Sequence, residues 1–103
     1  MGILSALFGQ STNQLAEYIE KGAIYLDVRT EKEFNTNHIK TAINIPLQEL
    51  NYRVDEIKKT NKPIIVYCAS GMRSANATSF LKQNGIDAIN GGGIFKVRNA
   101  IFK

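Results

Sequence analysis

Cysteine, histidine and tryptophan are scarce in this 103-residue chain, which has one Cys, one His and no Trp. A lone cysteine, Cys68, excludes an intramolecular disulfide, and a single histidine beside it leaves no Cys/His set for a structural zinc. A thiol with no partner suits a reducing compartment. No apolar run approaches the ~20 residues of a membrane-spanning helix. The start of the chain, Met1 to Gly9, is apolar but short, and no basic residue precedes Lys21, so it lacks the charged n-region of a secretory signal. The chain opens Met-Gly, yet Ala6 stands where a myristoylation signal has Ser or Thr. Repeats, low-complexity tracts and linkers are also missing. The expectation is a soluble, cytoplasmic protein with a lead-in at 1–10 and a single domain at 11–103.

The net charge of +4 comes from 13 basic and 9 acidic residues. The lysines are scattered, with only Lys58 and Lys59 adjacent, and nothing resembles a basic arm or a basic–aromatic stripe. Nucleic acid is therefore a poor match, and no membrane partner is expected. A small anionic substrate makes better use of the excess. One domain of this length buries roughly 65% of its unfolded surface without covalent staples.

Short apolar runs alternate with helical spacings. Ser11 to Gln14 fits a capping box, followed by an apolar helical face at Leu15, Tyr18 and Ile19 that Gly22 ends. Ala23 to Val28 reads as a buried strand, and Thr30 to Phe34 as a capped helical turn. Ala42 to Pro46 is a short strand, Leu47 to Lys59 a helix, and Ile64 to Tyr67 a strand opened by Pro63. Met72 to Asn84 is the next helix, with Ala75, Thr78, Phe80 and Leu81 as inward contacts and Gly85 as its stop. Ile86 to Ile89 is a last strand, followed by a glycine turn at 91–93 and a short helix. Such alternation implies an α/β fold with a small central parallel sheet flanked by helices on both faces. Sites in such sheets lie at the carboxyl ends of strands. Cys68 occupies that position.

A thiol between a strand and a helix start faces backbone N–H groups and the positive end of the helix dipole, and both favour thiolate. Cys68 to Ser74 therefore forms a candidate cradle. Gly71 permits unusual backbone angles, consecutive N–H groups at Ala69, Ser70, Gly71 and Met72 can converge as an anion nest, and Arg73 adds a permanent charge with planar donors. Ser70 and Ser74 are candidate hydroxyl donors to a bound anion, and Ser74 is equally a candidate cap of the helix.

The segment Cys68-Ala69-Ser70-Gly71-Met72-Arg73-Ser74 resembles the C-x-x-G-x-R-S active-site loop of rhodanese-like sulfurtransferases. Leu26-Asp27-Val28-Arg29 with Glu33-Phe34, His38 to Leu47, and Asn90-Gly91-Gly92 resemble three further family segments in the right order. The resemblance implies a rhodanese-like fold and a two-step transfer of sulfane sulfur without metal or organic cofactor. The Cys68 thiolate takes the outer sulfur of thiosulfate or a similar donor, and the resulting persulfide passes it to cyanide, glutathione, or a thioredoxin-like or sulfur-relay protein thiol. It also implies that Asp27 and Arg29 brace the loops beside Cys68 and that His38 is structural, while Glu33 and Phe34 read as helix and core residues rather than substrate contacts. Departures from the family pattern are Asn37 and Thr41 in place of glycines and Ile94-Phe95 where a tryptophan often follows. Asn tolerates left-handed backbone angles, whereas Thr41 is the poorer substitute.

Three other readings compete. Cysteine phosphatases and arsenate reductases of this fold use C-x5-R, whereas four residues separate Cys68 from Arg73 here, a cradle better sized for one sulfur atom. A non-catalytic binding module usually lacks the cysteine. A persulfide carrier dedicated to one protein partner shares every feature above.

Overall fold

The computed structural model describes residues 12–102. The lead-in at 1–10 and Ser11, the expected cap of the first helix, lie outside the described residues. The elements in order are α1 (Thr12–Glu20), β1 (Ile24–Asp27), α2 (Glu31–Thr36), β2 (Ile43–Asn44), a 3-10 turn (Leu47–Glu49), α3 (Leu50–Lys58), β3 (Ile64–Cys68), α4 (Met72–Gln83), β4 (Ala88–Gly93) and α5 (Ile94–Ile101). The four strands form one parallel sheet in the order β2-β1-β3-β4.

The unbroken apolar run of β3 follows from burial on both faces. Ile64, Val66 and Cys68 point to one side, where they meet Leu50 and Ile57 of α3 and Ala77 and Leu81 of α4. Ile65 and Tyr67 point to the other, against Leu15 and Tyr18 of α1 and Ile94 and Val97 of α5. The fold is thus the expected α/β arrangement with helices on both faces.

Several boundaries differ from expectation for identifiable reasons. Cys68 is the last residue of β3 rather than the first beyond it, paired with Gly93. Only Ile43–Asn44 pairs in β2, because Thr41, with φ +72°, and Pro46 bracket it. After Pro46 the chain begins as a 3-10 turn before settling into α3. In α4 the buried positions are Ser74, Ala77, Thr78 and Leu81, so Ala77 takes the inward place expected for Ala75.

The largest correction concerns the glycines, which belong to β4 itself rather than to a turn after it. Val66 pairs with Asn90 and Tyr67 with Gly92, so Gly91 bulges out of register. A Cβ on Gly91 would sit 2.8 Å from Val97 Cγ2 and 2.9 Å from Ile65 Cγ2, and one on Gly93 would sit 2.6 Å from the Ala69 carbonyl oxygen. Absent side chains let β4 lie directly under α5 and the Cys68 loop.

Asn37 also departs from expectation. Its φ of −172° is extended, so the position needs no left-handed tolerance. Its carbonyl accepts from Arg29 and its side-chain oxygen accepts from Arg98 at 2.8 Å.

Candidate active site

β3 delivers Cys68 to the carboxyl edge of the sheet, where the loop Ala69–Gly71 turns the chain into α4. Gly71 makes that turn with φ +105°, the left-handed backbone that glycine alone adopts freely, and an added Cβ would be in ordinary contact with Gly92 Cα at 3.4 Å. The loop consequently curls around the sulfur. The Gly71 N–H donates to Cys68 Sγ at 3.0 Å, the Ser74 N–H donates at 3.4 Å, and the Ser74 hydroxyl lies 3.3 Å away. Cys68 is 1% exposed. Burial alone would push the thiol up. The Ser74 hydroxyl and the N–H groups of Ser74, Gly71 and Ser70 together outweigh it, and the pKa falls below the ordinary thiol value.

The other loop residues divide by exposure. Ala69, Ser70 and Met72 face solvent, whereas Gly71 and Ser74 are buried. Ser74 is no helix cap: Gly71 holds that position, and the Ser74 hydroxyl donates to Asn90 Oδ1 at 2.6 Å.

Arg73 has a more specific setting than a free charge beside the sulfur. Its guanidinium grips Glu33 of α2 through two bonds, from Nη1 to Oε1 at 2.8 Å and from Nη2 to Oε2 at 3.0 Å. Glu33 also completes a capping box with Thr30. The Arg73 fork, together with the Thr30 N–H, holds the Glu33 carboxyl down at about 2. Glu33 thus ties α2 to the cradle, a role beyond that of a helix or core residue.

Behind the loop, Asp27 and Arg29 form a buried fork. Arg29 Nε and Nη2 bond both Asp27 oxygens at 2.8–3.1 Å, and the Arg29 N–H adds a bond at 2.9 Å. Asn44 Nδ2 donates to the carbonyls of both residues at 3.0 Å. The Arg29 guanidinium lies 5.7 Å over the Tyr67 ring, whose hydroxyl accepts from the Ile39 N–H at 3.0 Å. Burial pushes the Tyr67 hydroxyl well up, so it stays neutral. Together these bonds fasten the segment from 37 to 39 against β1 and β3. His38 stacks on Phe34 with ring centres 3.8 Å apart and shares a bond from Nδ1 with the Phe34 carbonyl at 2.8 Å.

A hollow of about 400 Å³ opens beside Ala69, lined by Arg29, Lys32, Glu33, Asn37, Ile94 and Phe95 among others. Another of about 410 Å³, lined by Ile57, Lys62, Pro63 and Asp87 among others, lies at the amino ends of β3 and β4, the wrong end of a parallel sheet for chemistry. Among the described residues, no group of three or more His, Cys, Asp and Glu side chains is arranged to hold a metal ion, and no helix is long and apolar enough to cross a membrane.

Two residues escaped the sequence reading. Glu33 was visible as a family position but not as a partner for Arg73, forty positions away. Asn90 bonds Ser74, Gly92 and the Gly71 carbonyl, and its only signal in the sequence is its place in the Asn90-Gly91-Gly92 segment that resembles the family.

A buried cysteine whose sulfur receives backbone N–H bonds at the carboxyl end of a parallel strand sits in a nest that favours its thiolate form. A family model for the rhodanese-like domain matches residues 11–100, and the chain belongs to that family. It is 33% identical over 72 residues to the thiosulfate sulfurtransferase PspE of Escherichia coli K12, covering 68% of this chain and 69% of that protein. It is 34% identical over 102 residues to a tRNA uridine(34) hydroxylase of Buchnera aphidicola, covering 91% of this chain but 32% of that protein. The chain thus spans about a third of the length of that relative. Among solved structures, a rhodanese-related protein from Thermoplasma volcanium superposes with a TM-score of 0.71 at 36% identity, over 85% of this chain and 87% of that one.

Proposed function

We propose that the protein is a sulfurtransferase that carries sulfane sulfur as a Cys68 persulfide. The observation that carries this reading is the set of N–H groups trained on Cys68 Sγ. In the first step the Cys68 thiolate attacks the outer sulfur of thiosulfate; the donor S–S bond breaks and sulfite leaves with the electron pair. In the second, an acceptor thiolate or cyanide attacks the outer sulfur of the persulfide, and Cys68 departs as thiolate with the pair. Both steps start or end on a thiolate, so convergent N–H groups favour both. Ala69 to Ser74 would line the donor site, and Asp27 and Arg29 would support it from behind. Thiosulfate as donor draws support from the relative PspE, most of whose length this chain matches.

A second reading, a persulfide carrier for one protein partner, is favoured by the exposure of Met72 (69%) and Phe95 (67%). Phe95 lines the hollow beside Ala69, an apolar rim that a protein surface could cover. In this reading the acceptor is a protein thiol in the cytoplasm.

Reduced protein incubated with thiosulfate should gain one sulfur by intact mass, and Cys68→Ser should gain none. No adduct on the native chain would sink the thiosulfate reading. An adduct that cyanide or glutathione discharges only slowly would favour the carrier. An aryl phosphate should be turned over only at background, and Cys68-dependent turnover would overturn the argument from loop length.

A further inference from the structure

Asn90 sits beside the bulge in β4, 5% exposed, and three bonds fix its amide. Oδ1 accepts from the Gly92 N–H at 2.9 Å and from the Ser74 hydroxyl at 2.6 Å, while Nδ2 donates to the Gly71 carbonyl at 3.1 Å. The Gly92 N–H can only donate and the Gly71 carbonyl can only accept, so the amide has one orientation. Its oxygen has no proton to give. The proton between Asn90 and Ser74 must therefore come from the Ser74 hydroxyl.

That hydroxyl has a single proton and two neighbours that want it. Its oxygen is also 3.3 Å from Cys68 Sγ. With the proton turned to Asn90, the Ser74 oxygen presents lone pairs to the sulfur. A neutral S–H can donate to them, but a thiolate would face electron density. On ionisation the S–H bond breaks, the proton passes to water and the electron pair stays on sulfur. The Ser74 O–H then rotates toward the thiolate with no covalent bond broken, giving up its hydrogen bond to Asn90 Oδ1, which keeps the Gly92 N–H alone.

We propose that Asn90 is a positioning residue that competes with the Cys68 sulfur for the Ser74 hydroxyl proton and so limits how far the nest shifts the resting site toward thiolate. The inference rests on Cys68 as the nucleophile of the proposed function, but not on sulfur as its cargo. In the persulfide Sγ carries no charge, and the hydroxyl proton is free to return to Asn90, so the device resets with each half-cycle. Other charges around the loop come from Arg73 of α4 with its partner Glu33 of α2, from the Asp27–Arg29 pair at the end of β1, and from Lys96 of α5, whose stem lies beside Gly92. β4 itself, Ala88 to Gly93, contributes no charged side chain. None of these groups changes in the variants below.

The test is the pH dependence of Cys68 alkylation by iodoacetamide on the reduced full chain, which needs no sulfur donor. Asn90→Leu keeps the size of the side chain without its acceptor, and Asn90→Ala removes both. Each should move the profile to lower pH, with about tenfold more thiolate on its acid limb. Adding Ser74→Ala to either should erase the gain. Ser74→Ala alone should raise the midpoint by much less than the shift seen in Asn90→Leu, because in the native chain the hydroxyl must give up Asn90 before it can serve the thiolate. A merely structural Asn90 would loosen Gly71 and Gly92, weaken the nest and move the profile to higher pH whether or not Ser74 is present. That outcome, an unchanged profile, or a tenfold upward shift in Ser74→Ala alone would overturn the proposal. The Ser74→Ala arm decides even if the Asn90 variants fail to fold, and a missing thiosulfate adduct with a shifted profile would refute the cargo while leaving this inference standing.

Discussion

Gly93→Ala should damage the cradle through a single contact. The backbone there, φ −80° and ψ 160°, is ordinary extended geometry, so an alanine adds no torsional strain. Its Cβ, however, would lie 2.6 Å from the Ala69 carbonyl oxygen and 3.3 Å from the carbonyl carbon. A relaxed C···O contact is about 3.3 Å, so the loop must retreat by about 0.7 Å. Overpacking of this kind costs about 1–3 kcal/mol, against which the stiffer unfolded chain returns about 0.4–1 kcal/mol. A net loss of about 1–2 kcal/mol is expected, read from urea midpoints.

Reactivity should fall as well. Ala69 and Ser70 carry the Gly71 N–H, which now donates to Sγ at 3.0 Å. Passing the full displacement along would stretch that bond to about 3.7 Å, long for an N–H donor on sulfur and weaker than the native contact. A bond to a charged group is worth about 1.5–3 kcal/mol, and losing about half of it should slow alkylation of Cys68 on the acid limb by about three- to tenfold. The control is Gly85→Ala, where φ is +78° and no atom lies within 4 Å of the added Cβ. It should lose about 1 kcal/mol through torsion alone and leave the thiol untouched. A Gly93→Ala protein with native alkylation and stability within about 0.5 kcal/mol would refute the contact argument.

Glu33→Gln should remove an acid-sensitive contribution. The Glu33 carboxyl is held at about 2 in the folded chain, below its ordinary value of 4.5, so its stabilisation is complete above the ordinary carboxylate range and disappears as pH falls toward about 2. Native and Glu33→Gln urea midpoints should differ at neutral pH, by about 1 kcal/mol or less for a pair this exposed, and converge near pH 2; a gap that persists in acid would contradict the pairing. Thr41→Gly should stabilise. A β-branched residue at φ +72° costs about 1–2 kcal/mol, of which the looser unfolded glycine chain takes back about 0.5–1. Thermal melts should rise by about 2–8 °C, and a fall would mean that the Thr41 side chain itself secures the turn.

What the sequence made legible was whatever depends on local pattern. The buried strand through Ile64–Tyr67, the cap at Thr30 and the nest at Cys68 each follow from a handful of adjacent residues, and motif order made the family resemblance recognisable. What it concealed depends on partners far apart in the chain. The three glycines read locally as a turn. Only the approach of Val97, Ile65 and Ala69 shows why they are a strand without side chains. Arg73 read as a free charge because its partner Glu33 lies on another helix. Ser74 read as a cap or an anion donor, because the claim that Asn90 makes on its proton crosses sixteen positions.

The bulge at Gly91 bears on how such a site can be retuned. One side of the sulfur is walled by main chain, since Gly92 and Gly93 stand opposite Tyr67 and Cys68. That wall offers no side chain to exchange for another, and at Gly91 and Gly93 any addition collides. Changes of preference must then enter through the exposed side chains of the rim, Met72 and Phe95, and through Lys32, which lines the hollow. The chemistry is sealed into backbone, and the choice of partner is left to a few replaceable side chains.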